Sequence, residues 1–253
     1  MSEYKVTHDQ MTQVADAIRA KGGTTDPLVW PDGFSAAVEG IQAGGGGDAE
    51  AMLAGIVDGT GTEVIIPEGV TQIRRYAFYY FTGRANLVLP DSLETINDYG
   101  FNECAFTSVQ FGNSLKEIKQ RAFYKNELLT MDSLPESLEV IGSYAFSVCK
   151  SLSNISLPAS LKTLGSGAFD SCSALKSVTI NANSALTIGS YALGQCNNLA
   201  TVTFTGKPSS INSSAFSYSN NLTTINVPWA EGAVSGAPWG ATNATINYNY
   251  TGG

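Results

Sequence analysis

The dipeptide Ala-Phe returns along this chain at nearly fixed intervals, as Ala77-Phe78, Ala122-Phe123, Ala145-Phe146, Ala168-Phe169 and Ala215-Phe216. Gly100-Phe101 and Ala192-Leu193 are degenerate copies, and the steps between Phe positions are 23, 22, 23, 23, 24 and 23 residues. Four residues before each Ala stands an aliphatic: Ile73, Ile96, Ile118, Ile141, Leu164, Ile188 and Ile211. After the Phe comes Leu-x-x-Val-x-Leu, as in Leu152/Ile155/Leu157, Leu175/Val178/Ile180, Leu199/Val202/Phe204 and Leu222/Ile225/Val227, with Phe106/Val109/Phe111 one residue early. One such unit cannot bury its own apolar residues, whereas stacked units share a continuous core. The triplet reads as a short strand whose alternate side chains point one way. Ile-x-x-x-Ala-Phe reads as a turn of helix or a tight irregular arc, with Ala small where neighbouring coils approach. Pro90, Pro135, Pro158 and Pro228 end the strands where no further ladder donor is needed.

Period and pattern predict a leucine-rich-repeat solenoid of the α/β type, with short parallel strands in seven coils of ~23 residues. More narrowly, Leu152–Cys172 spells Leu-x-x-Ile-x-Leu-Pro-x-Ser-Leu-x-x-Leu-Gly-x-x-Ala-Phe-x-x-Cys. This resembles the BspA-type (Treponema-like) repeat, and the resemblance runs from about Val70 to Trp229. It implies a binding scaffold without saying what is bound.

All four cysteines fall three residues after the repeat Phe or its Leu substitute: Cys104, Cys149, Cys172 and Cys196. Phe81, Asn126 and Ser219 hold that position in other coils. A column at the ~4.8 Å coil spacing keeps Cβ atoms slightly too far apart for a disulfide. Four free, buried thiols acting as small hydrophobes are expected, and a column does not converge as a metal site must.

Outside the repeats, Thr7-His8-Asp9-Gln10 is a capping box opening a helix with Met11, Val14, Ala15 and Ile18 on one face. Lys21-Gly22-Gly23 stops it, and a shorter helix follows Trp30–Phe34 through Ala36, Val38 and Ile41. The expected organisation is a helical attachment segment at 1–43, a glycine linker at 44–47, the solenoid with its cap coil at 48–228, and a closing cap with an edge strand at 229–253. The stretch Val14–Gly23 with Phe34 and Ile41, together with the ending Val227–Tyr248, resembles tail and baseplate-associated proteins of phages and prophages of Firmicutes. That resemblance implies a virion-tail component, attached through residues 1–43 to other tail or baseplate proteins and homo-oligomeric.

The formal charge of −8 argues against nucleic acid and anionic lipid as partners. No apolar run approaches the ~20 residues of a membrane helix, so no membrane insertion is expected. Met1 to Thr12 is polar and charged, which predicts synthesis in the bacterial cytoplasm without a signal peptide. His8 is the one histidine, so neither a Ser-His-Asp triad nor a zinc cluster can be built, and no pair of acids is singled out. The expectation is no enzyme and no cofactor. Asp91, Glu94, Asp98 and Glu103 read as ordinary surface charge.

What remains is surface. From Ser177 to Gly253 only Lys207 and Glu231 are charged, and the stretch is filled with Ser, Thr and Asn. Outward-facing positions of the strands predict a ladder of Ser153, Asn154 and Ser156; Lys176, Ser177 and Thr179; Thr201 and Thr203; Thr223, Thr224 and Asn226. Uncharged donors and acceptors suit neutral sugars, and they suit solvent equally. A second candidate patch is Arg74, Arg75, Tyr76, Tyr79, Tyr80 and Phe81. These features point to a phage tail-tip receptor-binding protein recognising a host cell-surface glycan or protein. A bacterial surface adhesin of BspA type and a purely structural tail or baseplate protein are the alternatives.

Overall fold

The computed structural model describes residues 63–252, apart from Pro67, Thr82 and Asp132. The helices expected within 1–43, the linker at 44–47 and the cap coil up to residue 62 lie outside the described residues. From Glu63 onward the chain winds as a parallel β-solenoid of about eight turns. One wall holds β1 (Glu63–Ile65), β3 (Asn86–Val88), β5 (Ser108–Gln110), β8 (Asn154–Leu157), β10 (Ser177–Ile180), β12 (Thr201–Phe204), β14 (Thr224–Asn226) and β15 (Thr245–Asn247). The second wall holds β2 (Gln72–Ile73), β4 (Thr95–Ile96), β6 (Glu117–Ile118), β7 (Val140–Ile141), β9 (Thr163–Leu164), β11 (Thr187–Ile188) and β13 (Ser210–Ile211). Neighbouring coils pair in register, as in Ser177↔Thr201 and Ile188↔Ile211. Equivalent residues therefore form columns along the solenoid.

The repeat positions behave as the periodicity demands. The aliphatics of the second wall and the apolar triplets Leu152/Ile155/Leu157 to Leu222/Ile225/Val227 are buried. Phe78, Phe101, Phe123, Phe146 and Phe169 form one stack, with centroids 5.0 to 5.2 Å apart. Each such ring pair adds about 0.5–1.5 kcal/mol beyond area burial. Trp229 and Trp239 are buried at the closing end, where a terminal coil needs apolar cover.

The α/β repeat type is corrected: among the described residues the return arc contains no helix. Alternate amides of the arc bond along the solenoid axis instead of back along the chain. Tyr76, Phe78 and Tyr80 donate to Asp98, Gly100 and Asn102 of the next coil, while Ala77, Tyr79 and Phe81 donate to Arg74, Tyr76 and Phe78. This alternation needs left-handed residues, and Tyr76, Tyr99, Arg121, Tyr144 and Tyr191 all have φ between 53° and 60°. Such backbone costs roughly 1–2 kcal/mol per non-glycine residue, offset here by coil-to-coil hydrogen bonds that a helix would forgo. Gly167 takes the same position at φ 64°, and a Cβ there would lie 2.4 Å from the Tyr144 ring that covers it.

The four cysteines are free and buried, as the register predicts. They are more than apolar filler, because each thiol donates to the carbonyl of the repeat Phe one coil back. Cys104 reaches Phe78 O at 2.9 Å, and Cys149, Cys172 and Cys196 reach Phe123, Phe146 and Phe169 O at 3.2 Å. Asn126 Nδ2 does the same to Phe101 O at 2.7 Å, and Ser219 Oγ to Leu193 O at 2.7 Å. The position selects a compact donor. Burial pushes all four thiols well above their ordinary range, Cys196 to about 12.

The first wall is interrupted. It divides into a three-stranded sheet, β1-β3-β5, and a five-stranded sheet, β15-β14-β12-β10-β8. The intervening coil, Leu129–Pro135, contributes the bridge Ser108↔Thr130. By repeat register Asp132, which lies outside the described residues, stands where the following coils have the apolar Ile155, Val178, Val202 and Ile225.

Candidate functional site: the outward strand face

The five-stranded sheet brings the sequence-predicted ladder together as two columns. Asn154, Ser177, Thr201 and Thr224 form one, Ser156, Thr179, Thr203 and Asn226 the other. Ser153, Lys176 and Thr223 precede the strands and are exposed. The ladder runs one strand further than expected, since β15 adds Thr245 and Asn247. Asn226 is a correction: it is buried, at 8% exposure, because its neighbours use its side chain. Asn226 Nδ2 donates to Thr203 Oγ1 at 3.2 Å and its Oδ1 accepts from Asn247 Nδ2 at 2.7 Å. Ser177 likewise donates to Asn154 at 2.8 Å, and Asn181 to Ser156 at 3.1 Å. Much of the ladder's hydrogen-bonding capacity is thus consumed between coils, which stiffens the wall and leaves fewer groups for a ligand.

Arg75, Tyr79 and Tyr80 do not join this face. They sit on the return arc, where exposed Tyr76 stacks on Tyr99 at 4.9 Å and Arg75 lies over the Tyr76 ring at 4.9 Å. Arg121 continues the column, 5.8 Å from the Tyr99 ring centroid and 5.5 Å from that of Tyr144. Phe81 of this patch is buried against Phe106. The arc is therefore a cation–π ladder in its own right, separate from the strand face.

Sequence reasoning missed the outward residues of the three-stranded sheet. Glu63, Asn86 and Ser108 form one column there, and Ile65, Val88 and Gln110 another. The signal was present in the alternation Ala85-x-Leu87-x-Leu89 ahead of Pro90, whose odd residues are buried. Glu63 is the sole charged side chain at the outward strand positions of either sheet. Several of the other charges pair between coils, as Lys116–Glu94 at 3.3 Å and Lys162–Glu139 at 2.7 Å do. Such exposed pairs contribute about 0–1 kcal/mol each.

The wall therefore offers a long, rigid array of neutral donors and acceptors, suited to recognition. Comparison with known proteins agrees with the winding. A leucine-rich repeat protein of T. pallidum is similar at 28% identity, over 64% of this chain and 78% of that one, with a TM-score of 0.55. A leucine rich cell surface protein of Faecalibacterium prausnitzii is similar at 23% identity, over 76% of this chain and 60% of that one, with a TM-score of 0.40. A leucine-rich repeat protein of Bacteroides ovatus is similar at 18% identity, over 74% and 68%, with a TM-score of 0.36. No curated protein sequence matches the chain. The profile of the BspA type leucine rich repeat region matches residues 60–146 and 126–232, in six copies. With most of its length matched in this way, the chain belongs to the BspA-type leucine-rich repeat family.

Proposed function

We propose that this chain is a non-enzymatic recognition protein of a bacterial surface, an adhesin of BspA type that binds through its strand wall. The observation that carries the reading is the near-absence of charge along the outward strand positions, with Glu63 the exception. Soluble proteins keep apart partly by surface charge, so a long neutral hydrogen-bonding wall suits contact with a neutral partner. Family membership supports this form of the function over the phage tail-tip role. The tail-protein resemblance rests on residues 1–43, outside the described residues, and on Val227–Tyr248, which the solenoid uses as its end cap.

The reading is tested with the fluorescently labelled full chain, as monomer and as a streptavidin-linked tetramer, on epithelial cells, mucin-coated surfaces and Gram-positive bacteria. Linked copies raise apparent affinity by roughly 10²–10⁴. An adhesin binds epithelial cells or mucin as a tetramer, with little salt dependence. Binding confined to bacterial cells would return the tail-tip role, and binding to no surface would leave a structural role.

A further inference from the structure

The outward wall carries a groove where its periodicity fails. Beside the coil Leu129–Pro135, which has no strand among its described residues, lies this groove of about 450 Å3. Its floor is the outward side of β3 and β5, with Asn86, Ser108 and Gln110, and its wall carries Phe111, Met131 and Ser133. The inward residues flanking the interruption show the same opening. Val109 is 6% and Ile155 7% exposed, whereas Leu87, Val202 and Ile225 of intact strands are 0% exposed.

The groove's polar groups are paired between coils only in part, with Asn86 and Ser108 bonded as Asn154 and Ser177 are on the five-stranded ladder. Asn86 Oδ1 accepts from Thr107 Oγ1 at 3.0 Å and Ser108 Oγ at 2.8 Å, and its amide NH2 has no partner among the described residues. The Gln110 and Ser133 side chains are exposed and likewise have no partner among the described residues. Among the described residues no Lys, Arg or His lines the groove, and Glu63 stands on its rim. Phosphate, sulfate and carboxylated sugars thus find no counter-charge and one repelling carboxylate. Phe111 and Met131 supply apolar surface against which the C–H face of a sugar ring can lie. The volume falls in the ~300–1,000 Å3 range of small-molecule clefts.

We propose that this groove is the specificity site of the wall, and that it binds a neutral saccharide of one or two residues. The proposal rests on the recognition reading above and narrows it to one place and one ligand class. Amide and hydroxyl groups of Asn86, Gln110 and Ser133 would pair with sugar hydroxyls, the rim carboxylate of Glu63 accepts two more, and the five-stranded ladder acts as a stiff neighbour.

The test screens the full-length chain on an array of neutral and anionic glycans, then measures the best neutral glycan by saturation-transfer NMR. Gln110→Ala with Ser133→Arg, which removes a donor and fills the groove, should weaken binding at least about tenfold, or 1.4 kcal/mol. Thr187→Glu with Ser210→Glu, exposed and on the second wall, should leave binding within about twofold, below 0.5 kcal/mol. If the double groove variant loses its circular dichroism, Gln110→Ala alone carries the comparison, with a loss of about threefold expected. Neutral-glycan binding that survives the groove substitutions, binding of anionic glycans only, or binding of extended peptides with no sugar, overturns the proposal. Binding to epithelial cells or mucin with no response to any neutral glycan overturns the groove assignment and leaves the recognition reading standing. No binding to cells, mucin or glycans overturns both.

Discussion

Replacing Cys172 separates two roles for the buried thiol column, apolar filler and hydrogen-bond donor. Cys172 is 0% exposed, and its Sγ lies 3.2 Å from Phe146 O. That carbonyl otherwise accepts only a long bond from Cys149 N at 3.3 Å among the described residues. Cys172→Ala deletes the donor, worth about 1 kcal/mol, and removes about one methylene equivalent of packing, near 1 kcal/mol with its residual cavity. The expected loss is about 2 kcal/mol. Cys172→Ser keeps a donor on the same Cβ, as Ser219 does toward Leu193 O at 2.7 Å. It should therefore cost less than about 1 kcal/mol. Urea unfolding of the full chain, followed by the fluorescence of Trp229 and Trp239 in the cap, measures both variants against wild type. If serine costs as much as alanine, the donor argument is wrong and the site is an apolar slot.

The same thiols predict an alkaline weakness. Below about pH 8.5 they are protonated in folded and unfolded chains alike; above it only the unfolded chain releases protons, because burial raises the folded values. Stability should fall by about 1.4 kcal/mol per pH unit per thiol, about 2 kcal/mol each by pH 10; a melting temperature constant from pH 7 to 10 would contradict this. Gly165→Ala should cost about 1–3 kcal/mol by overpacking, since its Cβ would meet Gly142 C and Ser143 N at 2.6 Å, both backbone atoms. An unchanged thermal midpoint in that variant would show that the coils can separate locally.

The spacing of Ala-Phe was enough to place the core because a solenoid has only one way to make a 23-residue period bury its apolar residues. Every aliphatic four residues before the Ala is buried, and so is every repeat Phe. The arc was not legible. Tyr76, Tyr99 and Tyr144 carry no left-handed signature in sequence, and only coil-to-coil bonding requires φ near 60° there. The donor role of the cysteines was legible in principle. Asn126 and Ser219 at the same register share a donor and not hydrophobicity, which the apolar reading passed over. The ladder was legible as a face but not as a network, because alternation reveals direction and says nothing of which amides satisfy one another.

The departures from the repeat say where a ligand can be localised. A periodic wall presents nearly the same chemistry at every coil, so a ligand sliding by one coil spacing meets an equivalent surface and gains no fixed position. Where equivalent side chains also hydrogen-bond to one another, as Thr203, Asn226 and Asn247 do, a ligand must compete with those contacts to bind. A defect escapes both limits. At Leu129–Pro135 the register places Asp132 where an apolar residue belongs, and the sheet divides there into three and five strands. Beside this division Gln110 and Ser133 remain exposed, next to Phe111 and Met131 in one groove. A variant that restores the period, Asp132→Ile, should then oppose binding and favour folding at once. An apolar residue at this register adds about 1.5–3 kcal/mol if a strand forms and buries it. The same change should close the groove and lower affinity for a neutral glycan on the array. A gain in melting temperature with binding intact would show that the recognition site is not at the defect.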